Sequence, residues 1–132
     1  MNVGYVVAME QLMGIKVDDR VEFIRIIMAE LQRIASHLLA TGVFGLDLGA
    51  FTPFLHMLRD RERIIDLFEM TCGARLLYNY MWVGGLSHDL PKGFVEATLN
   101  FLDYFEPKID EFENLLGNNK IFVERTADIG IM

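Results

Sequence analysis

Leu46-Asp47-Leu48-Gly49-Ala50-Phe51-Thr52-Pro53 separates two strongly helical patterns and decides how the chain folds. Asp47 carries the only formal charge between Ile34 and Leu58. Burying a charge in so apolar a stretch is costly without a partner, so Asp47 belongs either at a surface or at a site. The residues that follow read as a break and restart. Thr52 is expected as N-cap and Pro53 at the first helical position, where its missing N–H costs nothing.

Upstream of this turn, Ile24, Ile27, Met28, Leu31, Ile34, Ala35 and Leu38 recur at helical spacing and predict a helix over residues 19–41, closed by Gly42 and Gly45. Glu30, Arg33 and His37 lie beside that stripe, three and four residues apart, within reach of one another. They read either as a polar relay or as a network that satisfies itself locally. Further upstream, residues 2–13 predict a short helix with Tyr5, Ala8, Met9 and Leu12 on one side, stopped by Gly14.

Downstream, residues 52–71 predict a third helix with an arc of Phe54, Met57, Leu58, Ile65 and Phe68. Arg61 projects from that arc, so it is expected either buried with a partner or against a neighbouring chain. Residues 74–82 predict a short helix with Arg75, Tyr78 and Tyr80 as polar handles, followed by a glycine-containing loop. A last long helix is expected from Pro91 with a near-heptad apolar spacing, kinked or restarted at Pro107. Gly117-Asn118-Asn119 should stop it before one more turn over residues 120–125. The fold class that follows is all-α: one antiparallel bundle of three long helices plus short ones, with no strand alternation.

Composition narrows the function. The 132 residues are 52% hydrophobic with a mean hydropathy of +0.27. No uncharged run reaches the roughly 18–20 residues of a membrane span, so the apolar surplus is expected to meet other protein. A net charge of −7 argues against nucleic acid as the main ligand. The single cysteine, Cys72, excludes an internal disulfide and a cysteine-only metal or Fe–S site supplied by this chain alone. His37, His56 and His88 do not share a metal-ligand spacing.

Several motifs carry a more specific signal. They are Val21-Glu22-Phe23-Ile24-Arg25 through Ser36-His37-Leu38, Gly45-Leu46-Asp47-Leu48-Gly49-Ala50-Phe51-Thr52-Pro53-Phe54, Arg59-Asp60-Arg61-Glu62-Arg63 and Gly73-Ala74-Arg75. Gly84-Gly85 with Asp89-Leu90-Pro91, and Arg125-Thr126 with Gly130, follow in order. Together they resemble the D-type, quinone-reducing subunit of bacterial NADH–quinone oxidoreductase, respiratory complex I. The resemblance covers essentially the whole chain but only a middle part of that protein. It implies a hydrogenase large-subunit-like fold without the paired cysteines of the nickel–iron centre. It implies partners in the neighbouring B-type subunit, which holds a 4Fe-4S cluster, and in other complex I subunits. It also implies a quinone cavity and a peripheral place on the cytoplasmic side of the bacterial inner membrane. Asp47 would line that cavity beside a histidine outside this stretch. Independently of the resemblance, Arg61 and Arg75 are candidates for contact with a partner. Leu77 stands where mitochondrial relatives carry a redox-linked histidine, which would suit a lower-potential acceptor such as menaquinone. The fragment alone is expected to be inactive and to self-associate through apolar faces. Two other readings remain open: the equivalent subunit of a membrane-bound nickel–iron hydrogenase, and a helical interaction module with no redox role.

Overall fold

A computed structural model describes residues 2–130. Its elements run α1 (Asn2–Met13), α2 (Asp19–Asp47), α3 (Phe51–Cys72), β1 (Met81–Trp82), β2 (Gly85–Leu86), α4 (Phe94–Phe112), a π-helical turn (Glu113–Gly117) and α5 (Lys120–Thr126). The fold is all-α apart from one small antiparallel hairpin, in which Met81 faces Leu86 and Trp82 faces Gly85.

The centre of the molecule is α3. It packs on α2 on one side and on α4 on the other. Gly42 of α2 lies against Phe54 and Met57 of α3, while Met28 and Phe68 line one cavity, so the two helices run antiparallel. His56 pairs with Glu111 and Asp60 with Tyr104, so α4 is antiparallel to α3 as well. Ile24, Met28, Leu31, Ala35 and Leu38 from α2 meet Met57, Ile64, Leu67 and Phe68 from α3, and Phe94, Phe101 and Phe112 complete the core from α4. Burying a side chain the size of Phe68 contributes about 1.5–3 kcal/mol.

Several local expectations are corrected. α2 does not end at Gly42 or Gly45 but continues to Asp47. Both glycines are buried inside the helix because neighbours need the room. A Cβ on Gly45 would stand 3.0 Å from Leu116 Cδ2, and one on Gly42 would stand 3.3 Å from Phe54 Cδ2. The chain reverses at Gly49 instead, at φ +90°, with Ala50 N donating to Gly45 O at 2.8 Å. Ala50, not Thr52, is the N-cap of α3, so Pro53 sits in the first turn, where backbone N–H groups lack helical partners anyway. On α1 the buried side chains are Val6 and Glu10, whereas Tyr5 and Leu12 are exposed.

The short helix expected over residues 74–82 is absent. Tyr78 packs on Phe68 at 4.4 Å between ring centroids, Tyr80 is buried, and Gly84 at φ +85° turns the hairpin. Tertiary contacts thus override a helical pattern of only nine residues, below the length at which local propensity holds alone. α4 starts at Phe94, after Gly93 at φ +85°, and runs unbroken through Pro107. The irregularity comes six residues later, as the π-helical turn that places Leu116 against Gly45. Asn119 then caps α5 by accepting from Ile121 N and Phe122 N.

Candidate functional site

The turn after α2 is held by its own backbone and by a return from the far end of the chain. Leu48 N donates to Phe44 O and Gly45 O, Gly49 N to Leu46 O, and Ala50 N to Gly45 O. The backbone therefore satisfies the turn by itself, and the Asp47 side chain has no capping duty in it. Arg125 of α5 reaches across 77 positions to donate from Nη1 to the Leu48 carbonyl. The same guanidinium nitrogen would stand 3.2 Å from a Cβ on Gly49, so a side chain at that position would contest the contact. Phe122, one turn before Arg125, meets Phe44 edge-on at 5.9 Å. Two motifs far apart in sequence, the Leu-Asp-Leu-Gly turn and Arg125-Thr126, are thereby one structural unit.

Asp47 is exposed on this unit, and its carboxylate makes no hydrogen bond or ion pair among the described residues. Its isolation in an apolar run left surface and site open, and in this chain it lies at the surface. It also terminates a 29-residue helix whose last turn carries no basic residue. The partial negative charge at a helix C-terminus disfavours a carboxylate there. The chain holds a charge where its own helix opposes it, on a turn braced from behind by an arginine.

The other expected site residues fall elsewhere. Glu30 and Arg33 pair with each other on the exposed side of α2, and His37 stands apart from them, facing an apolar groove beside Phe44 and Phe105. Arg61 is half-buried, and its Nε has no partner among the described residues. Arg75 lies against α3, ion-paired with Glu62, Glu69 and, at 2.7 Å, Asp66, and these carboxylates hold its guanidinium protonated well beyond the usual range. None of these residues is brought to Asp47. The remaining histidines are accounted for: His56 Nδ1 sits 2.7 Å from Glu111, and His88 contacts Ser87.

Two polar centres escaped the sequence reading. In the first, Arg25 donates to both Glu10 oxygens at 2.9 and 2.7 Å and to the carbonyls of Trp82 and Gly85 at 3.0 Å each. Gly84 N donates to Glu10 Oε1 at 2.7 Å. This pair is buried and ties α1, α2 and the hairpin together. The Arg25 contacts, then the Gly84 N–H, hold the Glu10 carboxyl below its ordinary range against an opposing cost of burial. In the second, Asp60 is 0% exposed and accepts from Arg59 Nε at 2.7 Å and from Tyr104 Oη at 2.8 Å, while the Arg63 guanidinium stacks 3.7 Å from the Tyr104 ring centroid. Next to it, Lys108 and then His56 pull Glu111 down to about 2. The signal for Asp60 was present: it falls on the spacing Met57, Asp60, Ile64, Leu67, Thr71, all buried. The dense run of charges around it masked that spacing.

Among the described residues no group of three His, Cys, Asp or Glu side chains is placed to hold a metal ion, and Cys72 donates to the Phe68 carbonyl. No described helix is long and apolar enough to cross a membrane. Residues 47–132, beginning at the exposed acid and ending beyond Arg125, match the family described as respiratory-chain NADH dehydrogenase, 49 kDa subunit.

The chain belongs to that family.

Proteins similar to it include the NADH-quinone oxidoreductase D-type subunit of Chlorobium phaeovibrioides, 57% identical over 129 residues, which are 98% of this chain and 32% of that protein. Its counterpart in Prosthecochloris aestuarii is 55% identical over the same lengths. The one from Cytophaga hutchinsonii is 53% identical over 131 residues, 33% of its length. The chain thus spans about a third of the curated relatives it matches. The unit formed by Asp47, Gly49 and Arg125 lies wholly inside the matched residues.

Proposed function

We propose that this chain supplies one wall of the quinone-reducing cavity of an NADH:quinone oxidoreductase, with Asp47 as the acid on that wall. The observation that carries the reading is the exposed, unpaired carboxylate at the C-terminus of α2, on a turn fixed by Arg125. A group placed against its own helix dipole, with no structural role in its turn, is available to a partner outside the chain. A histidine supplied by another part of the same protein is the natural partner. An aspartate–histidine pair can hold a proton near the quinone oxygens and pass it on as the head group is reduced. Quinone is the substrate here, and the electrons come from a 4Fe-4S cluster held by the neighbouring B-type subunit.

Contact with that cluster-bearing protein and with other subunits is supported by an exposed apolar strip beyond the end of α3. Leu76 is 73% exposed, Leu77 is 89% exposed, and Trp82 lies close behind in the chain, also exposed. Large apolar side chains so exposed mark an interface. The protein itself would sit peripherally, on the cytoplasmic face of the membrane.

The test is Asp47→Asn in the assembled complex, with two activities measured side by side. Quinone-linked NADH oxidation should fall at least tenfold. NADH oxidation with a soluble acceptor that takes electrons upstream should stay near normal. Equal loss of both activities would point to an assembly defect. Retention of both would leave the chain as a helical scaffold with no part in quinone chemistry.

A further inference from the structure

The last turn of α2 is gripped from one side by residues that follow α4. Leu116, in the π-helical turn, fills the space beside Gly45, where a Cβ would stand 3.0 Å from it. Phe122 of α5 meets Phe44 edge-on at 5.9 Å. Arg125 Nη1 donates to the Leu48 carbonyl. The three contacts fall on positions 44, 45 and 48, which share one face of a helix. Asp47 lies roughly 100° around the helix from the middle of that face. The grip thus holds the backbone on both sides of Asp47 and leaves the residue itself exposed.

Within this grip, the Arg125 bond bears on the turn itself. The carbonyls of Phe44, Gly45 and Leu46 accept from backbone N–H groups of residues 48–50. Among the described residues no backbone N–H donates to the Leu48 carbonyl, and Arg125 is its partner. The guanidinium also brings a positive charge to a helix C-terminus, which favours one and whose last turn has no basic residue of its own. Among the described residues Arg125 forms no ion pair that would draw it elsewhere. Gly49, at φ +90°, leaves the room this needs, since a Cβ there would stand 3.2 Å from Nη1.

We infer that Arg125 is a positioning residue for the reaction. It acts through the Leu48 carbonyl to hold the Asp47 carboxylate where it meets quinone, and it does not touch the substrate. The inference rests on the role proposed above for Asp47 and adds the residue that sets its place. A proton passes between groups within hydrogen-bond reach, and a misplacement of about 1 Å can slow such a step roughly a hundredfold. Loss of the Arg125 contact frees the turn that carries the acid while the Leu116 and Phe122 contacts still hold the helix behind it. The rate of the step, rather than the affinity for quinone, is therefore what Arg125 controls.

The test uses the assembled complex in membranes. Quinone-linked turnover is expressed per unit of NADH oxidation with a soluble acceptor that takes electrons upstream, so that differences in assembly cancel. Arg125→Ala should lower kcat with quinone at least fivefold and leave KM within twofold. Arg125→Lys should return kcat to within twofold of the parent, because the contact uses one donor and a positive charge on a neutral carbonyl. If the alanine variant does not assemble, Arg125→Met keeps the length, removes donor and charge, and should lose kcat in the same way. Asp47→Asn combined with Arg125→Ala should be no slower than Asp47→Asn alone, since the arginine acts only through that carboxylate. An unchanged kcat in Arg125→Ala beside a large loss in Asp47→Asn would overturn the positioning role and leave the quinone role of Asp47 standing. Losses that multiply in the double variant, a rise in KM at constant kcat, or lysine no better than alanine would overturn it too. Full turnover in Asp47→Asn would instead remove the reading of the site on which the inference rests.

Discussion

Two regions of this chain hold carboxylates in opposite ways. Glu10 is buried, gripped by both terminal nitrogens of the Arg25 guanidinium and by the Gly84 N–H, and Nη2 donates to the two hairpin carbonyls as well. Asp47 is exposed, at the wrong end of its helix, on a turn that needs nothing from it. The first arrangement ties three elements of the fold together and leaves neither Glu10 oxygen free. The second contributes nothing to the fold and leaves both oxygens available. A charge that the chain satisfies internally is architecture, whereas a charge it holds out unsatisfied is directed at something else.

The contrast is broken most severely at its buried end. Arg25→Ala would leave Glu10 charged and uncompensated and would free two hairpin carbonyls at once. Removal of one partner from a buried pair is among the most damaging single changes, so the melting temperature should drop by roughly 10 °C or more. Amide exchange at Gly84 should accelerate with it. A drop of a degree or two would mean that the pair is solvated and that the hairpin is held by Tyr80 and Met81 packing alone.

Acid offers a gentler way to sharpen the comparison. Glu111 is held at about 2 by Lys108 and His56, against an ordinary value of 4.5, and Glu10 is lowered as well. A carboxyl with a depressed folded-state pKa contributes stability that is fully present above 4.5 and disappears as the pH falls towards 2. Denaturant titrations should therefore show stability declining across that window. Glu111→Gln should flatten part of the decline. An unchanged slope in the variant would separate Glu111 from the acid transition.

The smallest expected effect lies at Asp47. Replacement by Asn removes a charge opposed by the helix terminus and breaks no bond, so the isolated chain should gain about 0.3–1 kcal/mol of stability. A loss greater than about 1 kcal/mol would show that Asp47 does serve the fold, and the distinction between the two regions would fail.

Much of this architecture was legible because long periodic patterns specify helices strongly. The 3.6-residue stripes of α2, α3 and α4 placed the bundle. What stayed hidden depended on partners distant in sequence. Gly42 and Gly45 look like terminators until Phe54 and Leu116 are seen packing into the space they leave. Residues 74–82 have a helical composition, yet Phe68, Arg25 and Glu10 pull their backbone into an extended path and a hairpin. Asp47 was singled out from its isolation in an apolar run, but that isolation said nothing about burial, and the structure puts it at the surface. Arg125 stood out in the sequence only as part of a motif; the 77-residue return to Leu48 is what shows that it braces the turn.

The central claim, that Asp47 faces quinone, is open to one direct measurement. Membranes containing the assembled complex are treated with a carboxyl-modifying carbodiimide, with and without added quinone, and modification is quantified by peptide at Asp47 and at Glu124. Quinone should protect Asp47 severalfold while Glu124 reacts at an unchanged rate. Equal modification of Asp47 in the presence and absence of quinone would contradict the account.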